Sequence, residues 1–326
     1  MGRALAALAA LALACPASAA DPETAAPDAI ELDGDSWFVP GSFPPGRSPD
    51  GNSVILEAPN GLILIDTGRR LDHAVSLTTL LIMRGSSSGT PAAIINTHWH
   101  LDHVSGNRWF KMVSPETRVY ATSAIDGALT GFLADSAAAS REALEAGTIP
   151  EVAIPDVKGD LVTFENGPLL RPDVVVDKDR DLRIAGRPLS LRVAHRAATE
   201  RDLWVYDAAA KRAIIGDLVT MPAPFLDTAC PEGWLKALDA VAASGAQQVI
   251  PGHGAPMGMT ALGRWRMAFS DFIACARGRR ALDTCSAGWL ASAAEFIGMD
   301  GKRAKAMTDY YGGLIRSGKL DGYCRA

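Results

Sequence analysis

Thr97-His98-Trp99-His100-Leu101-Asp102-His103 decides how this chain is read. Three imidazoles and one carboxylate fall between His98 and His103. A neutral imidazole offers a nitrogen to zinc at about 2.0–2.1 Å and a carboxylate an oxygen at about 2.0–2.2 Å. A lone histidine is more often a packed or solvated side chain than a ligand; four ligand-type groups in this order outweigh that reading. His98 and His100, at the end of a strand, can reach one ion from the same side. Asp102 and His103 follow in a turn that points to a second position.

Working outward, Ala92-Ala93-Ile94-Ile95 reads as a buried strand running into the motif. Leu62-Ile63-Leu64-Ile65 is continuously apolar, as expected of a strand buried on both faces, and ends at Asp66-Thr67-Gly68. Before it, Ser53 to Glu57 is a second β-rich run, joined by the hairpin signal Asn60-Gly61. Ala213-Ile214-Ile215 ends at Gly216-Asp217, and Gln248-Val249-Ile250 at Pro251-Gly252-His253-Gly254. Asp66, His98, Asp217 and His253 thus each follow a short apolar strand. Side chains at strand ends along one edge can converge on a rigid scaffold. Leu189 to Ala194 and Leu203 to Tyr206 read as two further strands. Residues 70–83, 123–147, 233–244 and 259–326 carry helical patterns, and 160–194 alternates irregularly.

The His-x-His-x-Asp-His run, with Asp66-Thr67-Gly68, Gly216-Asp217 and Pro251-Gly252-His253-Gly254 in this order, resembles the metallo-β-lactamase superfamily. The resemblance implies an α+β fold, a four-layer αβ/βα sandwich of two sheets packed face to face with helices outside. It implies that His98 and His100 hold a first metal, that Asp102, His103 and His253 hold a second, and that Asp217 bridges them. Asp66 would stand behind a ligand and order its loop; a turn-forming role for that aspartate is compatible with this. Asp102 would orient the nucleophile or receive its proton. The implied cofactor is zinc, which lowers the pKa of bound water to roughly 7.

One departure stands out. The superfamily places a further histidine in a His-Thr-x-Gly-Asp stretch, which here reads Ala198-Thr199-Glu200-Arg201-Asp202. His195, three residues earlier, is a candidate extra ligand if the loop is rearranged; otherwise it is a strand-end histidine. The expectation is one zinc held tightly and a second weak or absent.

The rest of the chain sets the context. Arg3, the apolar run Ala4 to Ala14 and the small residues Ala17-Ser18-Ala19 read as a signal peptide over 1–20, too short for a stable membrane span of roughly 20 residues. A loose leader is expected over 21–34, the metallo-β-lactamase-like domain over 35–258, and a helical segment packed on it over 259–326. The expected location is periplasmic or secreted. There Cys230, Cys275, Cys285 and Cys324 can pair in three ways. Cys275 with Cys285 would staple two helices, and Cys230 with Cys324 would then tie down the tail; four buried thiols are the alternative. A net charge of −5 does not suggest a nucleic-acid partner, which would favour a basic face.

The function implied is an exported zinc-dependent hydrolase acting on a small ester, thioester, lactone or related small-molecule substrate. Gly216-Asp217-Leu218-Val219-Thr220 and Pro224 to Pro231 resemble an exported branch, the sulfur-oxidation and quinoprotein-associated zinc metallohydrolases. The alternatives are a degenerate, non-catalytic metal protein serving a periplasmic redox partner, which Ala198 favours, and a β-lactamase, which Asp217 disfavours because those enzymes usually carry Cys or Ser there. Iron-dependent oxidation is a weaker reading, since the nitrogen-rich ligand set suits zinc.

Overall fold

The computed structural model describes residues 29–325. The expected signal peptide, 1–20, and most of the expected leader lie outside them. In chain order the strands are β1 (Ile30–Asp33), β2 (Ser36–Val39), β3 (Ser53–Ala58), β4 (Gly61–Ile65), β5 (Ala93–Ile95), β6 (Arg118–Ala121), β7 (Val174–Val175), β8 (Arg180–Ile184), β9 (Arg187–His195), β10 (Arg201–Asp207), β11 (Arg212–Gly216), β12 (Gln248–Pro251) and β13 (Met257–Gly258). The helices are α1 (Leu71–Met83), α2 (Leu101–Val104), α3 (Asn107–Val113), α4 (Ala124–Thr130), α5 (Phe132–Glu145), α6 (Ile154–Glu165), α7 (Pro231–Ala242), α8 (Met259–Arg277), α9 (Leu282–Ser292), α10 (Ala294–Ile297), α11 (Gly301–Arg316) and α12 (Asp321–Arg325).

Among the described residues β1 to β7 form one sheet in sequence order, and β13-β12-β11-β10-β9-β8 a second. The period-two alternation of a strand explains how they stack. Ile63 and Ile65 of β4 point into the layer between the sheets, with Leu189, Leu191, Leu203, Val205 and Ile214 opposite. Leu62 and Leu64 point the other way, onto Leu77 and Leu81 of α1 and Phe110 of α3. The outer face of the second sheet packs Trp204, Ile215 and Val249 against Trp234, Trp265, Phe269 and Trp289 from α7, α8 and α9. Helix, sheet, sheet, helix is therefore the order of layers, and the continuous apolar runs are the strands covered on both faces.

Two departures from expectation have local causes. The loose leader ends earlier than 34: Ile30–Asp33 pairs antiparallel with β2 as an edge strand, through Ile30↔Phe38 and Glu31↔Trp37. Residues 154–165 are a helix inside a stretch with no clear periodicity. It starts at Ile154-Pro155-Asp156, with proline in its first turn, where the missing N–H costs nothing.

The pairing of parallel strands positions the site. β4 and β5 run parallel with Ile65 opposite Ile95, and β11 and β12 run parallel with Ile214 opposite Ile250. Each pair leaves its carboxyl ends at the same edge, the usual place for a ligand in a parallel sheet. A backbone hydrogen bond from Leu203 to the Thr97 carbonyl, 2.6 Å, joins the two sheets there.

Candidate metal centre

Asp66 follows β4, Asp217 follows β11 and His253 lies just past β12. His98 and His100 lie on the short loop after β5, and Asp102 and His103 in the one-turn α2 that ends it. Asp66 adopts a left-handed backbone (φ 57°), a costly conformation for a residue with a side chain. From it, Oδ1 accepts the Thr97 backbone N–H at 2.8 Å and Oδ2 the Thr97 hydroxyl at 2.7 Å.

Counting protons fixes which nitrogen each imidazole turns inward. Thr97 has one hydroxyl proton and gives it to the Asp66 carboxylate, so it accepts from His98 Nδ1, 3.0 Å away. His98 Nε2 keeps its lone pair. His103 Nδ1 donates to Asp66 Oδ2 at 2.8 Å, so His103 Nε2 is the nitrogen turned toward the pocket. Thr228 donates to the Ala198 carbonyl at 2.9 Å, so it accepts from His100 Nε2 at 3.0 Å, and His100 Nδ1 is the free nitrogen.

The free atoms converge. Asp217 Oδ2 lies 3.5 Å from His98 Nε2 and 3.8 Å from His100 Nδ1. Asp217 Oδ1 lies 3.1 Å from His103 Nε2 and 3.5 Å from His253 Nε2. Asp102 Oδ2 is 3.1 Å from His253 Nε2 and 3.7 Å from His103 Nε2, and the two imidazole nitrogens are 3.4 Å apart. Ligand atoms bonded at 2.0–2.1 Å in a tetrahedron are separated by about 3.3 Å. These separations match that edge, so the residues fit a divalent ion. His98 Nε2 and Asp217 Oδ1 are buried without a hydrogen-bond partner, a state a bound cation would relieve. Asp102, His103 and His253 form one compact group and His98, His103 and Asp217 another, with His100 at the margin.

The electrostatics point the same way. Burial opposes a charge on His103, yet Asp217, Asp66 and Asp102 hold its pKa well above the ordinary histidine value. Burial likewise opposes ionisation of Asp217 and Asp102. The surrounding histidines hold Asp217 well below the usual carboxylate range, and His103, His253 and Arg69 do so for Asp102. This is a negative pocket that draws in positive charge. His100 is pushed down, by burial first and then by His98, and stays neutral as a ligand must. Behind it, burial lifts the Asp202 carboxyl to about 7 against the hydrogen bonds from Thr199.

Two glycines are demanded by close approach. A Cβ on Gly252 would lie 2.0 Å from Asp217 Oδ1, and one on Gly51 would lie 2.4 Å from the His103 ring. Asn52 clamps the His253 loop through its side-chain N–H groups, 2.9 Å from the Pro251 carbonyl and 2.8 Å from that of Gly254. Arg69 sits 3.6 Å from Asp102 Oδ1, leaving Oδ2 for the pocket. The sequence assigns no role at the site to Thr228, Asn52 or Arg69, although Thr228 lies within the Pro224 to Pro231 stretch. Only Arg69 carries a local signal, standing directly after Asp66-Thr67-Gly68.

His195 is the expectation the geometry corrects. β9 runs up to it and it pairs with Arg201 of β10, so the hairpin is too tight to swing it inward. Its side chain is exposed and belongs to neither compact group. Ala198 is buried and lends only its carbonyl, to Thr228. His73 is a packed residue 3.3 Å from the Ser53 hydroxyl. Trp99 lines the cavity over the site, whereas Trp109 lines a separate one. The sulfurs form two disulfides, Cys275–Cys285 between α8 and α9 and Cys230–Cys324 from the start of α7 to α12.

Fold and site together define a class: a two-sheet αβ/βα sandwich with histidine and aspartate ligand groups gathered at one edge. The family model of the Metallo-beta-lactamase superfamily matches residues 48–253, and the chain belongs to that superfamily, whose members are generally hydrolytic. A curated relative, the linear primary-alkylsulfatase of Pseudomonas sp. (strain ATCC 19151), is 29% identical over 226 residues, covering 62% of this chain and 41% of the relative. The chain therefore spans less than half the length of that relative. Among solved structures, the metallo-beta-lactamase from Pontibacter korlensis superposes with a TM-score of 0.54 at 17% identity, over 75% of this chain and 99% of its own. The stereoselective inverting sec-alkylsulfatase Pisa1 from Pseudomonas sp. gives 0.57 at 19% identity, over 77% of this chain and 42% of its own. At these identities the solved structures speak for the fold alone.

Proposed function

We propose that this chain is an exported, zinc-dependent hydrolase that cleaves an ester-type bond in a small substrate: an ester, thioester, lactone or sulfate ester. The observation that carries the reading is that the two oxygens of Asp217 face two separate sets of imidazole nitrogens. Asp102, His103, His253 and Asp217 would hold the tighter ion. His98, His100 and Asp217 make a second position, weaker because Ala198 supplies no side-chain donor. When bound, the ion supplies Lewis acidity and a water acidified toward neutrality. The chain's own residues do the rest. Asp66 and Thr228 hold the imidazole tautomers, and Asp102 would orient a water. Because Asp102 is held strongly ionised, it serves better to align a water than to store its proton. Trp99 and Phe225 border the cavity and limit bulk water.

The likeness to the linear primary-alkylsulfatase supports including alkyl sulfates among the substrates. An oxidising, exported location belongs to the reading, supported by the N-terminal pattern and the disulfide pairs. The test is to purify the mature chain, count its metals, and screen carboxylic esters, thioesters, lactones, phosphodiesters, alkyl sulfates and β-lactams with and without chelator. Turnover abolished by chelator and by His103→Ala is the expected result. Full metal occupancy with no turnover would favour the accessory role in a redox system that Ala198 suggests.

A further inference from the structure

The cavity over the ligand cluster has a volume of about 490 Å³, within the range of small-molecule sites. His100, Asp102, Asp217 and His253 form its floor, and its walls include Trp99, Leu101, Phe132, Leu133, Met221 and Phe225. Arg69, Ser136, Asp160 and Thr220 add polar lining, and a further part of the wall comes from α11, through Arg303, Met307 and Tyr311. These three are spaced four residues apart, so they form one stripe along one helix face. This helix lies outside residues 48–253, the part matched to the superfamily.

The stripe is held rigidly. Ala304, Thr308 and Ile315 are buried on the adjoining face of α11. Lys305 reaches Asp283 at 2.7 Å, and Asp309 accepts the Ser286 hydroxyl at 2.6 Å. Most polar groups of the lining are engaged with protein partners: Arg69 donates to Asp160 and Thr220 to the Ala223 carbonyl at 2.8 Å, while Asp160 Oδ1 stays buried without a partner. Tyr311 donates to Asp227 at 3.3 Å, and Tyr310 to the other oxygen of Asp227 at 2.8 Å. Arg303 donates to the Phe43 carbonyl at 2.9 Å and stacks 3.7 Å over the Phe43 ring. The Trp99 indole donates to Glu200 at 3.1 Å. Apart from the Arg69–Asp160 pair, Ser136 and Thr220, what faces the cavity above the floor is mainly carbon.

We propose that α11 is the specificity wall of the site, and that Met307 at the centre of its stripe selects substrates whose non-reacting part is an apolar alkyl chain or ring. The assignment of the scissile ester rests on the hydrolase reading above; the apolar subsite does not, because it can be read by binding alone.

The probes are uncleavable n-alkylsulfonates, from ethyl to decyl, titrated calorimetrically into the zinc-loaded full chain and its Met307→Ala and Met307→Trp variants. Affinity for the wild type should rise about two- to fourfold per methylene and then level off as the cavity fills. Met307→Trp should weaken octylsulfonate at least tenfold and leave ethylsulfonate within twofold. Met307→Ala should carry the rise to longer chains. Equal metal content and thermal transitions in the three proteins establish that the fold is intact; if the tryptophan variant fails to fold, Met307→Ala decides alone. Affinities independent of chain length, or a profile unmoved by either substitution, overturn the proposal. Chain-length-dependent binding without hydrolysis of any ester would sink the hydrolase reading instead, and chelator-sensitive hydrolysis with flat binding would sink this one.

Discussion

Thr228 Oγ1 stands 3.0 Å from His100 Nε2 across 128 residues of sequence, and its own proton is committed to the Ala198 carbonyl. One hydroxyl thus fixes both the ring angle and the tautomer of a ligand-type histidine. It does so beside the position where the superfamily's usual further histidine has become alanine. Loss of an orienting partner of this kind typically costs about 10- to 100-fold in metal affinity.

Thr228→Val keeps the shape and removes the acceptor. We expect a loss of about tenfold in affinity at the weaker metal position, with Thr228→Ser close to wild type. Competition with a chromogenic chelator measures both. Equal affinity in all three proteins would remove Thr228 from the account.

Asp66 carries more. It orients His103 and anchors Thr97, which in turn orients His98. Asp66→Ala should weaken both positions by about 10- to 100-fold, while far-UV circular dichroism stays unchanged. A loss confined to one position would mean that the Thr97 relay is dispensable.

Gly252→Ala should abolish metal retention, because its Cβ would fall 2.0 Å from Asp217 Oδ1, between backbone segments that cannot move apart cheaply. Gly127→Ala, where nothing lies within 4 Å of the new atom, is the control and should behave as wild type. Elemental analysis of the two dialysed variants reads the difference.

The two disulfides should contribute unequally. Cys230 and Cys324 are 94 residues apart, Cys275 and Cys285 only 10. On chain entropy the first closes a loop worth about 4–5 kcal/mol and the second about 3 kcal/mol, with measured values typically about 2–4 kcal/mol. Urea unfolding of the Cys230→Ser/Cys324→Ser and Cys275→Ser/Cys285→Ser double variants should therefore place the former lower in stability. The reverse order would mean that native packing, rather than loop closure, sets the effect.

What could be read in advance follows from how local each signal is. Leu62 to Ile65 announces a doubly covered strand because every residue is apolar, and Ile63 and Leu64 do face opposite layers. The histidine cluster is legible because its members are adjacent in sequence. Asp66, Asp217 and His253 are legible because each ends an apolar strand. The role of Thr228 is not legible, although the residue falls in the Pro224 to Pro231 stretch, since only tertiary folding brings it to His100 and the Ala198 carbonyl. The wall formed by Arg303, Met307 and Tyr311 was hidden for a similar reason: the spacing marks one helix face, but only tertiary packing says what that face meets. His195 misled because proximity in sequence to Ala198 does not survive the tight hairpin between β9 and β10, which turns it outward.

The central claim is that strand ends from both sheets hold a catalytic divalent ion at His103 and its neighbours. The most direct measurement is the zinc content of the purified wild type and of His103→Ala after dialysis against metal-free buffer, with thermal unfolding recorded for each. The account predicts about one retained ion per wild-type chain and its loss in the folded variant. A folded wild type that retains no ion, or a variant that keeps as much as the wild type, would contradict it.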